Sequence, residues 1–394
     1  MRLIVLSCLV GCGFDPSAVN GGDDHGPSDA AGDAAPMASD ARDGMGNPAC
    51  AWSFTPTNFD PCQLPGPAPL SITSGTYDLD SGATALPSMT VMQTDGSLVL
   101  VVHLASLDMS AGTTLNVHGS KPVILAVEGN ANLAGTVRIR AGADDVARCT
   151  ARAGHDGTAS SNSLVGGGGG GGAAGAGDGG NGTDGSDGTH SGHGTGGARG
   201  AHLDDTAISP LVAGCPGGSG GSDNGTGTPG AGGGGGGGLQ ISAQLTLTSS
   251  AVLDASGAGG GGTTAQTGAG GGGSGGAIFL EANAITVSGL VCADGGSGGE
   301  GGGSSNPGAA GNAGACTGAG GATTGQINML GGDGGGGGWK NATGGGNAGA
   351  ASNASPSGLG AGGGGGGGSV GWIRLHAIGQ LMSSAVVTPN PRTS

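Results

Sequence analysis

The sequence predicts an all-β chain: a right-handed parallel β-helix-like solenoid interrupted by long glycine-rich insertions. Three observations carry that expectation. A cadence of three short, apolar, β-branched pieces, each ending at Gly, Asn, Asp or Ser, recurs with a period of about 20 residues, the size of one coil that buries its inward row only against neighbouring coils. Glycine supplies 102 of 394 residues and aromatic residues only 2%, which excludes one conventional globular core. The glycine is also unevenly spread, with unbroken blocks at 166–172 and 232–238 between apolar stretches, and it lacks collagen's strict Gly-X-Y order. A β-sandwich made from the same strands is the alternative, because periodicity alone does not fix which strands pair.

The chain opens with Met1, Arg2 and an apolar run ending in Leu9-Val10-Gly11-Cys12. This resembles the lipobox of bacterial lipoproteins. The resemblance implies that residues 1–11 are a signal peptide, that cleavage precedes Cys12, and that Cys12 carries a lipid anchoring the protein to a membrane. Gly13 after the cysteine implies an outer-membrane, surface-exposed address. The apolar run is shorter than the usual signal length of about 15 residues, so a start codon farther upstream is expected. Residues 12–48 are rich in Asp, Ala, Gly and Ser, with seven acids and one arginine, and too poor in apolar surface to offset ordering; they read as a disordered acidic tether.

Residues 49–69 contain Cys50, Cys62, Trp52, Phe54 and Phe59 and read as a cap over the open N-terminal end of the solenoid. Continuous coils follow over 70–142. Single coils are expected at 239–257, 277–295 and 370–388, before a tail at 389–394. Their inward residues should be Ile278, Leu280, Ile285, Val287 and Val291, with Leu245, Leu247 and Leu253 from the coil before. Insertions fill 143–238, 258–276 and 296–369; if each leaves the same corner of its coil, all emerge on one face. Two readings of that glycine stay open. It forms flexible loops, as the entropy cost of ordering Gly suggests, or extended three-residue helices packed side by side, as the spacing of Gly179, Gly182, Gly185 and Gly188 suggests.

Six cysteines besides Cys8 and Cys12 form an even set in an apparently exported chain, so disulfides are expected. Neighbour pairing, Cys50–Cys62, Cys149–Cys215 and Cys292–Cys316, is one of about 15 connectivities six cysteines permit. No metal or cofactor site is assigned. Asp184, His190 and His193 are weak metal candidates, with His202, Asp204 and Asp205 nearby, because glycine flanks offer no rigid ligand geometry. Gly179-Gly180-Asn181-Gly182-Thr183-Asp184 matches the opening of a calcium-binding nonapeptide, but Ser186 stands where an aliphatic residue belongs. Trp339, in a glycine insertion, is a candidate for stacking on a glycan.

A formal charge of -16, from 27 acidic and 11 basic residues, argues against nucleic acid as a partner. Asp108, Glu128, Asp254, Glu281 and Asp294 fall at different phases of the repeat, and basic residues are scarce, so the clustered carboxylates of a polysaccharide lyase or hydrolase are not evident. Lipobox, Asp/Ala tether, poly-Gly and the repeat Gly-Gly-Ala-Ile-Phe-Leu-Glu-Ala at 275–282 together resemble the glycine-rich surface lipoproteins of myxobacteria and related Gram-negative bacteria. The resemblance covers most of 70–388 and implies an architecture and an address without transferring an activity. The expected function is non-enzymatic: a lipid-anchored structural or adhesive surface protein whose partners are surface polysaccharide or other cells. A glycan-active enzyme and an ice- or hydration-related binder are the alternatives.

Overall fold

In the computed structural model the described residues are 52–140, 142, 149–203, 208–225, 227–303, 306–316, 330–339, 344–351 and 358–393. The expected signal peptide at 1–11, the expected lipidation site Cys12, the expected tether at 12–48 and Cys50 lie outside them.

The chain is all-β with parallel sheets. Its strands are β1 (Ala68–Ile72), β2 (Thr76–Asp80), β3 (Ser88–Met92), β4 (Leu98–Met109), β5 (Thr114–His118), β6 (Val123–Val127), β7 (Ala131–Leu133) and β8 (Thr136–Ile139). After the first insertion come β9 (Gly238–Ser249), β10 (Val252–Asp254), β11 (Ala277–Val287), β12 (Leu290–Cys292), β13 (Trp372–Ser383), β14 (Val386–Thr388) and β15 (Arg392–Thr393). One sheet runs β1-β4-β6-β9-β11-β13-β15, with β7 joining β4 to β9 and β3 lying on β4; the other runs β2-β5-β8-β10-β12-β14. Every pairing is parallel except that of β3 with β4.

Register stacks like on like. Leu107, Ala131, Leu247, Ile285 and Leu381 align across one sheet, and Leu115, Val137, Leu253, Val291 and Val387 across the other. Inward residues from both sheets meet in one aliphatic core that includes Leu104, Leu125, Ile241, Leu280 and Leu375. Burying each such side chain contributes roughly 1.5–3 kcal/mol, which lets short strands hold without aromatic residues. Of the residues expected to point inward, Ile278, Leu280, Ile285, Val287, Val291, Leu247 and Leu253 join this core. Leu245 does not: it is 49% exposed. Between Ala243 and Thr246 the β9 strand carries one residue more than β11 does between Ala282 and Ala284, and this bulge turns Leu245 outward.

The Trp52 segment is not an end cap. It crosses the outer face of the first sheet as a strap, where Phe59 and Leu64 pack with Val99, Val101, Ile124, Ala126, Phe279 and Trp372 in a second buried cluster. Trp52 meets Phe54 and Phe59 edge-on at 5.5 and 5.6 Å. The strands explain the difference. The outer face of β4, β6 and β11 is itself apolar at these positions, so a lateral surface needs covering as well as an end.

The described parts of the glycine insertions are packed, not loose. From Gly166 to Ala173 successive N–H groups donate in rotation to three segments: to Ser186, Gln266 and Thr158, then Thr183, Ala269 and His155, then Gly180 and Gly272. The carbonyls of the same residues accept in rotation from Gly194, Gly363 and Gly221, then Gly197, Gly366 and Gly218, then Gly200 and Ser369. A repeat of three with no bond inside the segment is the signature of a polyproline-II-type helix. Segments 268–275 and 362–369 behave likewise, and the three rods bond to one another at Gly170–Ala269, Ala269–Gly363 and Gly363–Gly167. Each is therefore a rod surrounded by others, in a hexagonal bundle. The rods ending at 237, 276 and 371 run directly into β9, β11 and β13, so neighbouring rods continue as neighbouring strands.

Only glycine-dense sequence can build this. A Cβ on Gly169 would lie 2.0 Å from the Gly364 carbonyl oxygen, and one on Gly271 2.0 Å from that of Gly171. The absent side chain is what lets backbones approach closely enough to bond.

Candidate functional site

Two places gather polar side chains. The first is the outer edge of the bundle, where rods 178–187 and 193–202 run antiparallel. Gly179, Gly182 and Gly185 donate their N–H to the carbonyls of Gly200, Gly197 and Gly194. The residue before each of these glycines adds a second bond. Asp178 accepts the N–H of His202 at 3.1 Å, Asn181 that of Arg199 at 3.1 Å and Asp184 that of Gly196 at 2.8 Å, and Asp187 accepts that of His193 at 3.1 Å. The result is a ladder of Asx side chains standing in for the carbonyls of a missing rod, one rung per turn. At a rise of about 3.1 Å per residue the rungs repeat roughly every 9 Å.

Charge collects on this ladder. Arg199 reaches Asp178 at 3.0 Å, and the Nδ1 of His202 lies 2.7 Å from the same carboxylate. The His202 hydrogen bonds, with Arg199 beside them, hold the Asp178 carboxyl below its usual pKa. The Nδ1 of His193 lies 2.9 Å from Asp187, whose carboxyl this hydrogen bond also lowers. Thr183, Asp184, Asp187, His193, Ala350 and Ala351 line a pocket of about 350 Å³ beside it.

The sequence-predicted metal candidates are partly brought together. His193 sits 4.0 Å from Asp184, whereas His190 lies on an exposed turn and bonds through its backbone to Asp187. Asp204 and Asp205 lie outside the described residues, among which no three His, Cys, Asp or Glu side chains gather as a metal would require. In the would-be nonapeptide, Asp184 Oδ1 serves the Gly196 N–H. Trp339 is half-buried at the end of rod 332–338.

The second place lies under the strap. Register aligns His103, Ala126, Ser242, Glu281 and His376 in one row on the outer face. Glu281 is fully buried. It accepts from the Thr57 hydroxyl at 2.8 Å, the Thr57 N–H at 3.1 Å and the Ser242 hydroxyl at 2.9 Å, and lies 3.2 Å from His376 Nδ1. Gln240 donates to the Thr57 carbonyl at 2.7 Å, and Asn58 donates to Gln240 at 2.9 Å. At the far end His103 bonds the Pro65 carbonyl and pairs with Glu128 at 3.3 Å. Glu281, Gln240 and His103 hold the strap through Thr57, Asn58 and Pro65, with Ser242 and His376 bracing Glu281, so the row is a latch filled by the chain's own backbone. Asp254 and Asp108 are similarly engaged, with Arg140 at 3.7 Å and Asn132 at 2.8 Å.

Cys149 is bonded to Cys215 and Cys292 to Cys316; Cys62 is also disulfide-bonded. The first bridge ties the entrance of the long insertion to rod 214–221 beside buried Ala173.

The glycine period at 179, 182, 185 and 188 is plain in the sequence, and the Asx residues that form the ladder stand one position ahead of each glycine, a feature not anticipated from that period. An Asx-Gly-x triplet repeated four times from Asp178 was the available signal. The Glu281 latch had none, because its partners come from residues 57, 240, 242 and 376.

No protein-family model, curated protein or solved structure matches this chain.

Proposed function

We propose that the protein is a non-enzymatic surface protein of structural or adhesive type, held at the outer membrane by a lipid on Cys12, with the glycine bundle as the face it presents. The observation that carries this reading is the bundle itself. Rods bonded on all sides make a rigid slab, and its Asx ladder sets charged and amide groups at a fixed repeat suited to a repeating partner such as a surface polysaccharide. The two described disulfides accord with export. Among the described residues no helix is long and apolar enough to cross a membrane.

We infer in the same way that the sheets are coils of a right-handed parallel β-helix. Support comes from the path of the chain, which alternates between sheets, with β6 and β7 together matching one long strand such as β4 or β9, and which advances always in the parallel sense from β4 onward. The long strands change register at one common level, Ala282 to Ala284 in β11 against three-residue steps in β9 and β13, so each bends into two sides of a three-sided coil. Right-handed crossovers follow from strand twist. A β-sandwich would instead be largely antiparallel.

A glycan-active enzyme needs carboxylates open to substrate, and the strap over Glu281 weighs against that reading. The test is adhesion. Cells lacking the gene should lose attachment to matrix or to neighbouring cells, and the full chain should restore it; attachment unchanged by the deletion would overturn the adhesive reading.

A further inference from the structure

The two ends of the strand stack are finished differently. At the first end β3 folds back antiparallel over the opening half of β4, from Ser88 opposite Val102 to Met92 opposite Leu98. Pro69 removes an N–H from edge strand β1, and Leu86 packs onto the core. Leu70, Ile72 and Leu79 are accordingly buried. Acidic Asp78, Asp80 and Asp108 lie on or beside these first strands.

At the last end the described residues hold no folded-back strand and no proline within a strand; Pro389 and Pro391 stand only between β14 and β15. The short β15 covers only Arg374 and Leu375, so β13 from Ala377 to Ser383 pairs with β11 alone, and β14 closes the other sheet. The final inward residues Ala377, Leu381, Ala385 and Val387 reach the core but stay partly uncovered. Beside them Ile378, Met382 and Val386 are 47%, 50% and 49% exposed. Residues 377–388 contain no charged side chain and no proline. An open parallel edge of this kind is a template for another strand.

We propose that this end is an interface between two copies of the chain, joined through the same edge about a two-fold axis. Charge selects that occupant. A chain of formal charge -16 repels its copies, and 377–388 is the uncharged, apolar end at which they meet with least cost. A head-to-tail join would instead lay the uncharged edge against the plugged, acidic first end. The two-fold join sets β13 against its copy in the antiparallel sense, supplies the missing ladder bonds, covers Leu381, Met382 and Val386, and closes without leaving a second open edge.

Light scattering on the size-fractionated full chain should show a concentration-dependent dimer. Met382→Lys with Val386→Lys places unpaired charge in the contact and should weaken dimerisation by about tenfold or more. Met92→Lys, at an equally prominent site on the first end, 71% exposed, should leave it unchanged. A cysteine introduced as Gln380→Cys should cross-link two copies under oxidation, a readout independent of whether the lysine variant folds. A monomer at every concentration, open-ended polymers, dissociation by Met92→Lys, or no cross-link through position 380 would overturn the proposal.

Discussion

The strand stack and the glycine bundle are continuous in one chain, yet they hold together by opposite means. In the stack, side chains do the work: backbones pair edge to edge within each sheet, and aliphatic residues fill the space between sheets. In the bundle, side chains are excluded, and each central rod bonds to rods on every side of it. Buried area stabilises the first. Dense hydrogen bonding, each bond worth about 0.5–1.5 kcal/mol net, must offset the large ordering entropy of glycine in the second. The comparison teaches that glycine-rich sequence is not of itself unfolded sequence. What it needs is enough aligned segments, running in either sense but started in register, and the strands β9, β11 and β13 provide that register to the rods that feed them.

If this contrast is right, the bundle should be more sensitive to adding a methyl-sized group than the stack is to removing one. The largest effect is expected from Gly169→Val, which drives a side chain into the Gly364 carbonyl 2.0 Å from the Cβ position; thermal unfolding should show a loss above about 4 kcal/mol, or no folded bundle. Leu280→Ala, in the aliphatic core, should cost about 2–5 kcal/mol by the same measurement. If Leu280→Ala proved the more damaging, the rods would be appendages of the stack and not a second core. Replacing Cys149 and Cys215 together by serine should cost about 2–4 kcal/mol and expose the insertion first to limited proteolysis.

Smaller effects test the bundle's edge. Asp178 and Asp187 have carboxyls lowered by His202 and His193, so what they contribute is present above the unfolded carboxylate pKa and lost as pH falls through the lower folded value. Wild type and the Asp178→Asn, Asp187→Asn variant should therefore differ in melting temperature at neutral pH and converge below about pH 4, with a difference under about 1 kcal/mol because the pairs are partly exposed. Smallest of all is Gly234→Ala on a peripheral rod, where the added Cβ meets nothing within 4 Å. A change beyond about 0.5 kcal/mol there would show that glycine matters by composition and not by position.

Much of the stack was legible in the sequence. Alternation in Ile278-Phe279-Leu280 and Ile285-Thr286-Val287 names an inward row, because strand periodicity needs only local residues. Leu245 was misplaced because a bulge depends on how many residues the neighbouring strand carries. The strap was misplaced for a similar reason: Trp52 and Phe59 say that apolar surface needs covering, but only the assembled sheet shows which surface. In the bundle the three-residue period of glycine was visible, while the Asx ladder was hidden because each Asx side chain acts on a second rod, to which the bonds of Asp178, Asn181, Asp184 and Asp187 cross.

By itself, then, the amino-acid order determined that the chain is strand-rich, that its core is aliphatic, and that its glycine lies between the repeats, since each follows from local spacing and side-chain chemistry. Tertiary structure alone decided that the glycine of the described rods is ordered. A rod of this kind makes no bond within itself; segments 166–173, 268–275 and 362–369 acquire their bonds only from one another and from the rods around them. That is a property of the assembly, and no single segment carries it.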